Sequence, residues 1–291
     1  MTGPRRDTRG IVEARELFAR VRFRRREPAS ALRPYLEHYW LIDWDLAEPY
    51  ASHVVPHPSV NVVFQRYDDE PAHAEVAGIG LELFTHKLSG RGRVCGVQFR
   101  PGGFRPFAPD RPVSDWTGQR LPFGDVLLPG RDEKTLRTAA HSVVDPEDED
   151  ARVAALDTFL LGLEPRPDPR AEHAMELVER VRTDRSVRRV SQLAEAAGLS
   201  ARSLQRLFAG WVGVGPKWVI LRYRIHEALE RAEQADEQTG VPTGAAAGRP
   251  AGGVDWAALA DDLGYSDQAH LVRDFTATVG VPPSAYTRAA R

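Results

Sequence analysis

The stretch SQLAEAAGLSARSLQRLF, residues 191–208, decides the fold of the C-terminal part of the chain. Gly198 predicts the end of one helix, because glycine readily takes the positive φ found after a helix C-terminus. Ser200 predicts the start of a second helix, since a serine hydroxyl can accept a hydrogen bond from an amide there. Apolar residues fall where two helices would pack across a turn, at Leu193, Ala194, Ala197, Leu199, Leu204 and Leu207. The stretch therefore predicts a helix-turn-helix unit, whose second helix can enter the major groove of DNA.

The second helix of this unit has one apolar face and one polar face. Leu204 and Phe208 share the apolar face through their i, i+4 spacing, and Arg202, Gln205 and Arg206 share the other by the same rule. Arginine can pair with O6 and N7 of guanine, and glutamine with N6 and N7 of adenine. Exposed polar helix faces are common without any such role, but the preceding turn pattern favours base recognition here.

A second copy of the pattern lies in WAALADDLGYSDQAHLVRDF, residues 256–275. Gly264 takes the place of Gly198, and Asp255 is positioned to cap the first helix of this copy. Its turn is one residue longer than that of the first copy. The sequence therefore predicts two helix-turn-helix units, at about residues 187–210 and 255–278.

Two different segments lie between the units. The first, PKWVILRYRIHEALERAEQ at 216–234, begins with a proline suited to a first helical turn. Its apolar residues predict a connecting helix that packs on both units, through the stripe Leu221, Ile225, Ala228 and Leu229. The second, GVPTGAAAGRPAGG at 240–253, predicts a flexible loop by its Gly, Ala and Pro composition.

Charge is distributed unevenly along the chain. The 291 residues carry 39 basic and 41 acidic side chains, which excludes a uniformly basic protein. Between Arg180 and Arg224, however, ten basic residues face two acidic ones, a net charge of +8. A near-neutral protein with one basic region fits local attraction to DNA phosphates.

Cysteine content and hydropathy limit where the protein works. The one cysteine, Cys95, excludes an internal disulfide and a multi-cysteine zinc site. No segment approaches the about 18 apolar residues of a membrane span, and the N-terminus lacks the apolar region of a secretory signal. We expect a cytoplasmic protein without membrane contact.

The N-terminal half predicts a β-rich domain. Residues 35–107 contain short apolar runs with turn signals every 8–12 residues, which is typical of a sandwich or barrel. Helical spacing follows at 134–143 and at 151–163, where Val153, Leu156, Leu160 and Leu161 form one predicted face. The arginine-rich residues 1–30 predict a frayed basic arm in preference to a short helix at 11–21.

The segment EPRPDPR, residues 164–170, contains three prolines and predicts a domain boundary. The expected fold is α+β with two domains. We expect residues 1–165 to form a β-sandwich or β-barrel domain with flanking helices, and residues 172–291 to form an all-α double helix-turn-helix domain.

The region from about Arg185 to Arg288 resembles the AraC family of bacterial transcriptional regulators. The resemblance is carried by LAEAAGLSARSLQRLF, VGVGPKWVILRYRIHEAL and LADDLGYSDQAHLVRDFTATVGVPPSAY. It implies two units at the ends of a linker helix that enter successive major grooves on one DNA face. The connection from about Gln234 to Val254 is longer than is usual in that family, which leaves open how rigidly the second unit is held.

Position in the family pattern, together with the polar face described above, gives the expected DNA contacts. They are Ser200, Arg202, Ser203, Gln205, Arg206, Lys217, Gln268, Ala269, His270, Val272 and Arg273. The first unit offers long hydrogen-bond donors, whereas the second offers mainly small groups. We therefore expect the first unit to set sequence specificity and the second to add affinity and register.

The N-terminal half resembles the β-rich domain of one AraC-type subgroup, through YLEHYWLIDWDL, SHVVPHPSVNVVF and VCGVQFRPGGF. In that family such a domain is a cupin-like barrel that senses an effector, dimerises, or both. The candidate effector-binding residues are Trp40, Trp44, His53 and His57, although the tryptophans fit a barrel core equally well.

No metal, cofactor or enzyme activity is predicted. His53 and His57 form H-x-x-x-H, but Pro56 and Pro58 prevent the helix that would align them on zinc. Whether His53 and His57 meet His38, His73 and His86 in a barrel and bind a metal there remains open. Neither a G-x-S-x-G elbow nor a Walker lysine motif is present.

The sequence thus predicts a sequence-specific DNA-binding transcription regulator, controlled by a small-molecule effector or by dimerisation. Its expected partners are double-stranded DNA, the effector, a second copy in a homodimer and, for an activator, RNA polymerase. Two alternatives stay open. One is a metal-dependent cupin-type enzyme fused to a DNA-binding domain, and the other a constitutive regulator whose N-terminal domain only dimerises.

Overall fold

The computed structural model of the chain describes residues 10–239 and 254–289. An antiparallel sheet occupies the N-terminal part of the chain, and helices occupy the C-terminal part. The predicted α+β class is therefore confirmed. The predicted flexible tract 240–253 lies outside the described residues. Within the described ranges, no helix combines the length and apolar character needed to cross a membrane.

In the part of the chain that the structure describes, seven strands form one sheet with the order β1-β3-β6-β4-β5-β7, and β2 also pairs with β3. Their bounds are β1 (Ile11–Val12), β2 (Arg22–Arg26), β3 (Leu36–Val54), β4 (Asn61–Tyr67), β5 (His73–Ala77), β6 (Phe84–Phe99) and β7 (Arg120–Pro122). The long strands β3 and β6 pair from Leu36↔Phe99 to Val54↔Phe84, with register shifts at Leu36/His38 and Leu46/Tyr50. The pairings among these strands are all antiparallel.

The helices are α1 (Ala14–Arg20), α2 (Phe123–Leu127), α3 (Glu133–Val144), α4 (Glu149–Leu161), α5 (Pro169–Thr183), α6 (Val190–Ala196), α7 (Ala201–Leu207), α8 (Pro216–Thr239), α9 (Trp256–Asp262), α10 (Gln268–Val279) and α11 (Pro283–Ala289). A π-helical turn at Phe208–Val212 follows α7 directly. The two helices predicted between the sheet and the proline segment are confirmed as α3 and α4. The predicted apolar face of α4 is wrong at its end, because Leu161 is 42% exposed while Leu156 and Leu160 are buried.

Three apolar cores hold these elements together. The first joins one face of the sheet to α4 and to the first helix-turn-helix unit, with Phe64, Leu156 and Leu204 among its members. The second is formed mainly by α8 to α11, includes Phe275, and also contains the fully buried Val55, which follows β3. The third covers the opposite face of the sheet and contains Leu17 of α1. Burial of apolar surface thus continues across the proline segment, and the domain limits 1–165 and 172–291 remain a prediction.

The predicted frayed N-terminal arm is wrong for the part of it that the structure describes. Leu17 of α1 is 2% exposed and belongs to the third core. Arg24 of β2 pairs with Asp43 of β3 and with Glu149 of α4. Both acids lie outside residues 1–30, so the composition of that segment alone gave no indication of them.

Asp43 is the centre of an arginine cluster, called the Asp43 cluster below. Its carboxylate accepts hydrogen bonds from Arg24, from Nε of Arg93 at 2.7 Å and from Nη1 of Arg152 at 3.0 Å. Arg152 is only 2% exposed, and its Nε has no hydrogen-bond partner among the described residues. Burial raises the pKa of Asp43, but the hydrogen bonds from Arg24 and Arg93 and the charge of Arg152 outweigh it. The net effect holds that pKa below its ordinary value.

Candidate DNA-binding surface

The first helix-turn-helix unit consists of α6, a turn and α7. Gly198 has a φ of 63°, the left-handed conformation that glycine adopts without strain. The amide of Leu199 donates to the carbonyl of Ala194 at 2.9 Å, which closes the turn. Ser200 caps α7, because its hydroxyl accepts a hydrogen bond from the amide of Ser203 at 3.1 Å. The predicted turn and cap are confirmed.

The two faces of α7 are separated as the sequence predicts. Leu204 is fully buried and Phe208 beyond it is also fully buried. Arg202, Gln205 and Arg206 are exposed along the opposite side. Long donors are therefore presented to solvent from a helix whose other face is fixed in the core.

The second unit repeats this geometry in α9, a turn and α10. Asp255 caps α9 by accepting from the amides of Ala257 and Ala258, as predicted. Gly264 has a φ of 73°, and the amide of Tyr265 donates to the carbonyl of Ala260 at 2.9 Å. The same glycine conformation and the same hydrogen bond thus close both turns.

Asp267 caps α10, which the sequence reasoning missed. Its carboxylate accepts from the amide of His270 at 2.7 Å, and this bond lowers the pKa of Asp267. The signal was present, because an aspartate immediately before an apolar-periodic segment is a usual helix start.

The outward side of α10 carries fewer long donors than that of α7. Gln268, Ala269 and Arg273 are exposed, whereas His270 and Val272 are partly buried. His270 is engaged within its own unit, since its Nδ1 lies 3.2 Å from Oγ of Ser266. Arg273 is the one arginine of α10.

The helix α8 connects the two units and packs on both. Ile220 belongs to the first core, whereas Ile225 and Leu229 belong to the second. The predicted apolar stripe is therefore confirmed for its C-terminal members, and Leu221 is only partly buried. Lys217 is exposed in the first turn of α8.

Much of the basic charge between Arg180 and Arg224 is used inside the protein, so the sequence count overestimated what is available to phosphates. The engaged side chains are Arg180 with Asp184, Arg182 with Glu179, Arg185 with Glu227, and Arg188, Arg222 and Arg224 with main-chain carbonyls. In contrast, Arg202, Arg206 and Lys217 make no ion pair with any residue in the described part of the chain. These three cations remain available on the surface, and Arg189, the tenth basic residue of this region, is also exposed.

The four candidate effector residues are not brought together. Trp40 and Trp44 share the sheet face of the third core, with their indole nitrogens donating to Asn61 Oδ1 at 3.3 Å and to the carbonyl of Ser89 at 3.2 Å. His53 Nδ1 lies 2.9 Å from Oγ1 of Thr85.

His57 lies elsewhere, stacked on His226 of α8 with ring centroids 3.9 Å apart. The placement of Trp40 and Trp44 agrees with the alternative that they are core residues.

Two concave regions adjoin these residues. A groove of about 1230 Å³ lies beside Trp44, and most of its wall is charged, with Arg66, Asp68, Lys134 and Arg137 among the lining residues. A cleft of about 50 Å³ contains His57 and lies between the sheet and helices α5 and α8.

A polar network on the sheet was missed by the sequence reasoning. Gln65 donates to Oε1 of Glu75 at 3.1 Å and lies 3.0 Å from Nε2 of His73. The hydroxyl of Tyr67 donates to Oε1 of Gln65 at 2.7 Å and lies 3.2 Å from Nε2 of His86. Alternate polar positions along β4 were the available signal, because every second residue of a strand shares a face. Within residues 10–239 and 254–289, no three His, Cys, Asp or Glu side chains form a group that could hold a metal ion.

Comparison with known proteins adds the following. Residues 24–122 match a family described as "Domain of unknown function (DUF6597)". No curated protein matches. A crystal structure of ToxT from Vibrio cholerae is similar with a TM-score of 0.41 and 10% identity, over 93% of this chain and 98% of that one. Wild-type ToxT bound to an unsaturated fatty acid is similar with a TM-score of 0.40 and 13% identity, over 86% of this chain and 94% of that one.

Proposed function

We propose that this protein is a DNA-binding transcription regulator of the AraC type. The observation that carries the proposal is the pair of helix-turn-helix units with the same closing hydrogen bond, joined by α8. Each unit buries one side of its second helix and exposes the other. This is the arrangement by which such a helix enters a major groove with its polar side toward the base edges.

The two units differ in what they offer to DNA. Arg202, Gln205 and Arg206 can form bidentate contacts to bases, and no ion pair within the described chain competes for the two arginines. On α10, Arg273 stands among short side chains such as Ala269. We infer that α7 supplies most of the sequence specificity, whereas α10 supplies affinity and register.

Three of the other predicted contacts, at Lys217, Ser200 and Ser203, fit phosphates better than bases. Lys217 is an exposed cation at the start of α8, and a lysine binds a phosphate as a point charge. The hydroxyl of Ser200 serves as the cap of α7, and the hydroxyl of Ser203 lies 2.9 Å from it. Both serines therefore lie at the N-terminus of α7, where a helix favours an anion.

The test uses the full chain and a DNA sequence selected by it from a random pool. Binding is titrated against duplexes that carry every single-base change of that sequence. Arg206→Ala and Gln205→Ala should each cost about 1–3 kcal/mol and relax preference at particular base pairs. Arg273→Ala should weaken binding more evenly across sequences. Arg131→Ala, at an exposed arginine before α3 that lines neither concave region, is the control and should leave binding unchanged.

Two results would contradict this assignment. If Arg273→Ala erased preference at defined bases while Arg206→Ala left the profile unchanged, the roles of the two units would be reversed. If the folded protein enriched no sequence and bound no duplex at low salt, the proposed function itself would fail.

The N-terminal sheet region is proposed to control the DNA-binding helices. Its Thr117 donates to the carbonyl of Gly213 at 2.8 Å, directly after the π-helical turn, and Arg105 donates to the carbonyl of Gly210 at 3.2 Å. These contacts touch the backbone just beyond α7. An effector that altered this region would therefore act on the base-contacting helix through a short path.

Ligand screening and mass measurement test this control. Trp40, Trp44, His53 and His57 remain proposed effector residues as separate candidates. Of the four, Trp44 lines the groove of about 1230 Å³, which is large enough for a small molecule, and His57 lines the separate cleft of about 50 Å³. A ligand that binds only the folded state raises the melting temperature, so a thermal-shift screen identifies it. Light scattering on the purified chain tests the expected homodimer. A protein that dimerises and binds DNA, but responds to no compound, would be a constitutive regulator.

A further inference from the structure

Charged side chains connect the two helix-turn-helix units on the surface of α8. Arg185, in the loop before α6, pairs with Glu227 of α8 at 2.5 Å. Glu227 also pairs with Arg231 at 2.9 Å, and Arg231 pairs with Asp262 at the end of α9 at 2.7 Å. This chain of ion pairs, together with Arg188, is called the inter-unit clamp below.

Arg188 makes the second connection of the inter-unit clamp. Its Nη2 donates to the carbonyl of Asp262 at 3.4 Å, at the C-terminus of α9. Its methylene groups lie against the turn of the second unit, because a Cβ added at Gly264 would lie 2.6 Å from Cδ of Arg188. The backbone of Arg188 is itself held, since Arg224 of α8 donates to its carbonyl at 2.7 Å.

The members of the clamp are partly shielded from water. The side chains of Glu227 and Arg231 are 24% and 27% exposed, whereas those of Arg185 and Asp262 are 66% and 60% exposed. The centre of the network is therefore the pair on α8. Networks of ion pairs with shielded members contribute more than isolated surface pairs, for which about 0–1 kcal/mol is usual.

We propose that the inter-unit clamp fixes the orientation of the second unit relative to the first, and so sets the spacing between the two DNA segments that the protein accepts. The part of this inference that concerns DNA spacing rests on the proposed function, whereas the part that concerns the orientation of the two units does not. Apolar contacts of α9 and α10 with α8, together with the bonds from Arg231 and Arg188 to Asp262, bear on this orientation. Sites in successive major grooves lie about 10–10.5 base pairs apart, which makes binding sensitive to this orientation.

The clamp assigns Arg185 and Arg188 a role different from the one their charge suggests. A phosphate-binding arginine would reduce the slope of log K against log salt by about one when it is replaced. A clamp arginine leaves that slope nearly unchanged, because it releases no counterion from DNA. Its loss instead lets the protein accept spacings that it normally rejects.

The first measurement needs no DNA. Spin labels are attached at Glu195→Cys on α6 and Ala277→Cys on α10, both exposed positions, while the native Cys95 is fully buried. Pulsed electron spin resonance on the full chain then gives the distribution of distances between the units. We expect one narrow distribution for the parent protein and a broad one for the variant with Arg231→Gln and Asp262→Asn. Unchanged distributions would overturn the proposal, whatever the protein does with DNA.

The second measurement uses duplexes in which the two half-sites are moved apart or together by one or two base pairs. In the parent protein one spacing should be strongly preferred. The preference over a one-base-pair shift should fall by about 3- to 10-fold in Arg231→Gln and in Asp262→Asn, with little further loss in the double variant because the two residues act as one pair. Arg180→Gln, which removes an exposed arginine outside the clamp, should keep the parent preference.

The two proposals fail in different ways. In one outcome, every clamp variant keeps the spacing preference, and Arg188→Met reduces the slope of log K against log salt by about one. That outcome would make these arginines phosphate contacts and overturn the clamp. Broadened distances in a protein that binds no DNA would support the clamp and refute the proposed function.

Discussion

Replacing Asp43 with asparagine tests how far the Asp43 cluster stabilises the fold. The substitution keeps the size of the side chain and removes the negative charge that three arginines share. Arg24 retains Glu149 as a partner, and Arg93 retains Glu147. Arg152 is 2% exposed and loses the carboxylate that compensates its charge. Removing one partner of a buried pair costs about 3–5 kcal/mol, and we expect the lower end of this range because only one arginine is left uncompensated.

Urea unfolding followed by tryptophan fluorescence measures this loss. The matched control is Asp150→Asn, which removes the partner of Arg26 from a side chain that is 77% exposed and should cost less than about 1 kcal/mol. Adding Arg152→Met to Asp43→Asn should recover part of the stability, since the buried uncompensated charge is then gone. An Asp43→Asn protein as stable as the Asp150→Asn control, or a double variant less stable than Asp43→Asn, would refute the reasoning.

Three further predictions concern pH, packing and capping. The pKa of Asp43 is lowered in the folded protein, so its contribution to stability is complete above the ordinary carboxyl pKa of about 4 and is lost as pH falls through the folded value. The melting temperature should therefore fall less between pH 7 and pH 3 for Asp43→Asn than for the parent chain. Gly96→Ala should lower the free energy of unfolding by about 1–3 kcal/mol, because its Cβ would lie 1.9 Å from the Trp40 ring. A Cβ at Gly215 would meet no atom within 4 Å, so Gly215→Ala should cost less than about 1 kcal/mol in the same denaturation assay. Ser200→Ala should cost about 1 kcal/mol through loss of the α7 cap, and Ser200→Asp, tested by the same unfolding curves, should retain most of it.

Local features of the candidate site were predictable from sequence. Gly198, Ser200 and Asp255 act on their own turn or helix end, so residue type and spacing were sufficient to place them. The exposed face of α7 followed from helical period alone. The base contacts themselves stay a prediction, because which bases a side chain touches depends on DNA.

Contacts between distant segments could not be predicted in the same way. The pairing of Arg24 with Glu149 joins residues 125 positions apart in sequence, and nothing near either residue indicates the other. Arg188 appeared as one more cation in a basic region, although its side chain lies against the second unit. The sequence pattern predicted that Trp40 lies in a strand but not how closely its ring packs on the sheet. That packing depends on Gly96 of the neighbouring strand, which has no side chain to block the ring.

The polar joint between the sheet region and the π-helical turn has a consequence for how such proteins diversify. Thr117 and Arg105 donate to main-chain oxygens, at Gly213 and Gly210. Neither hydrogen bond uses a side chain of α7, so substitutions on the exposed face of α7 leave both bonds in place, whereas Gly213 itself is constrained because a Cβ there would lie 2.7 Å from Ile79. In the proposed regulator, changes at Arg202, Gln205 or Arg206 would therefore alter the recognised DNA sequence while the two bonds to the sheet region are inherited intact.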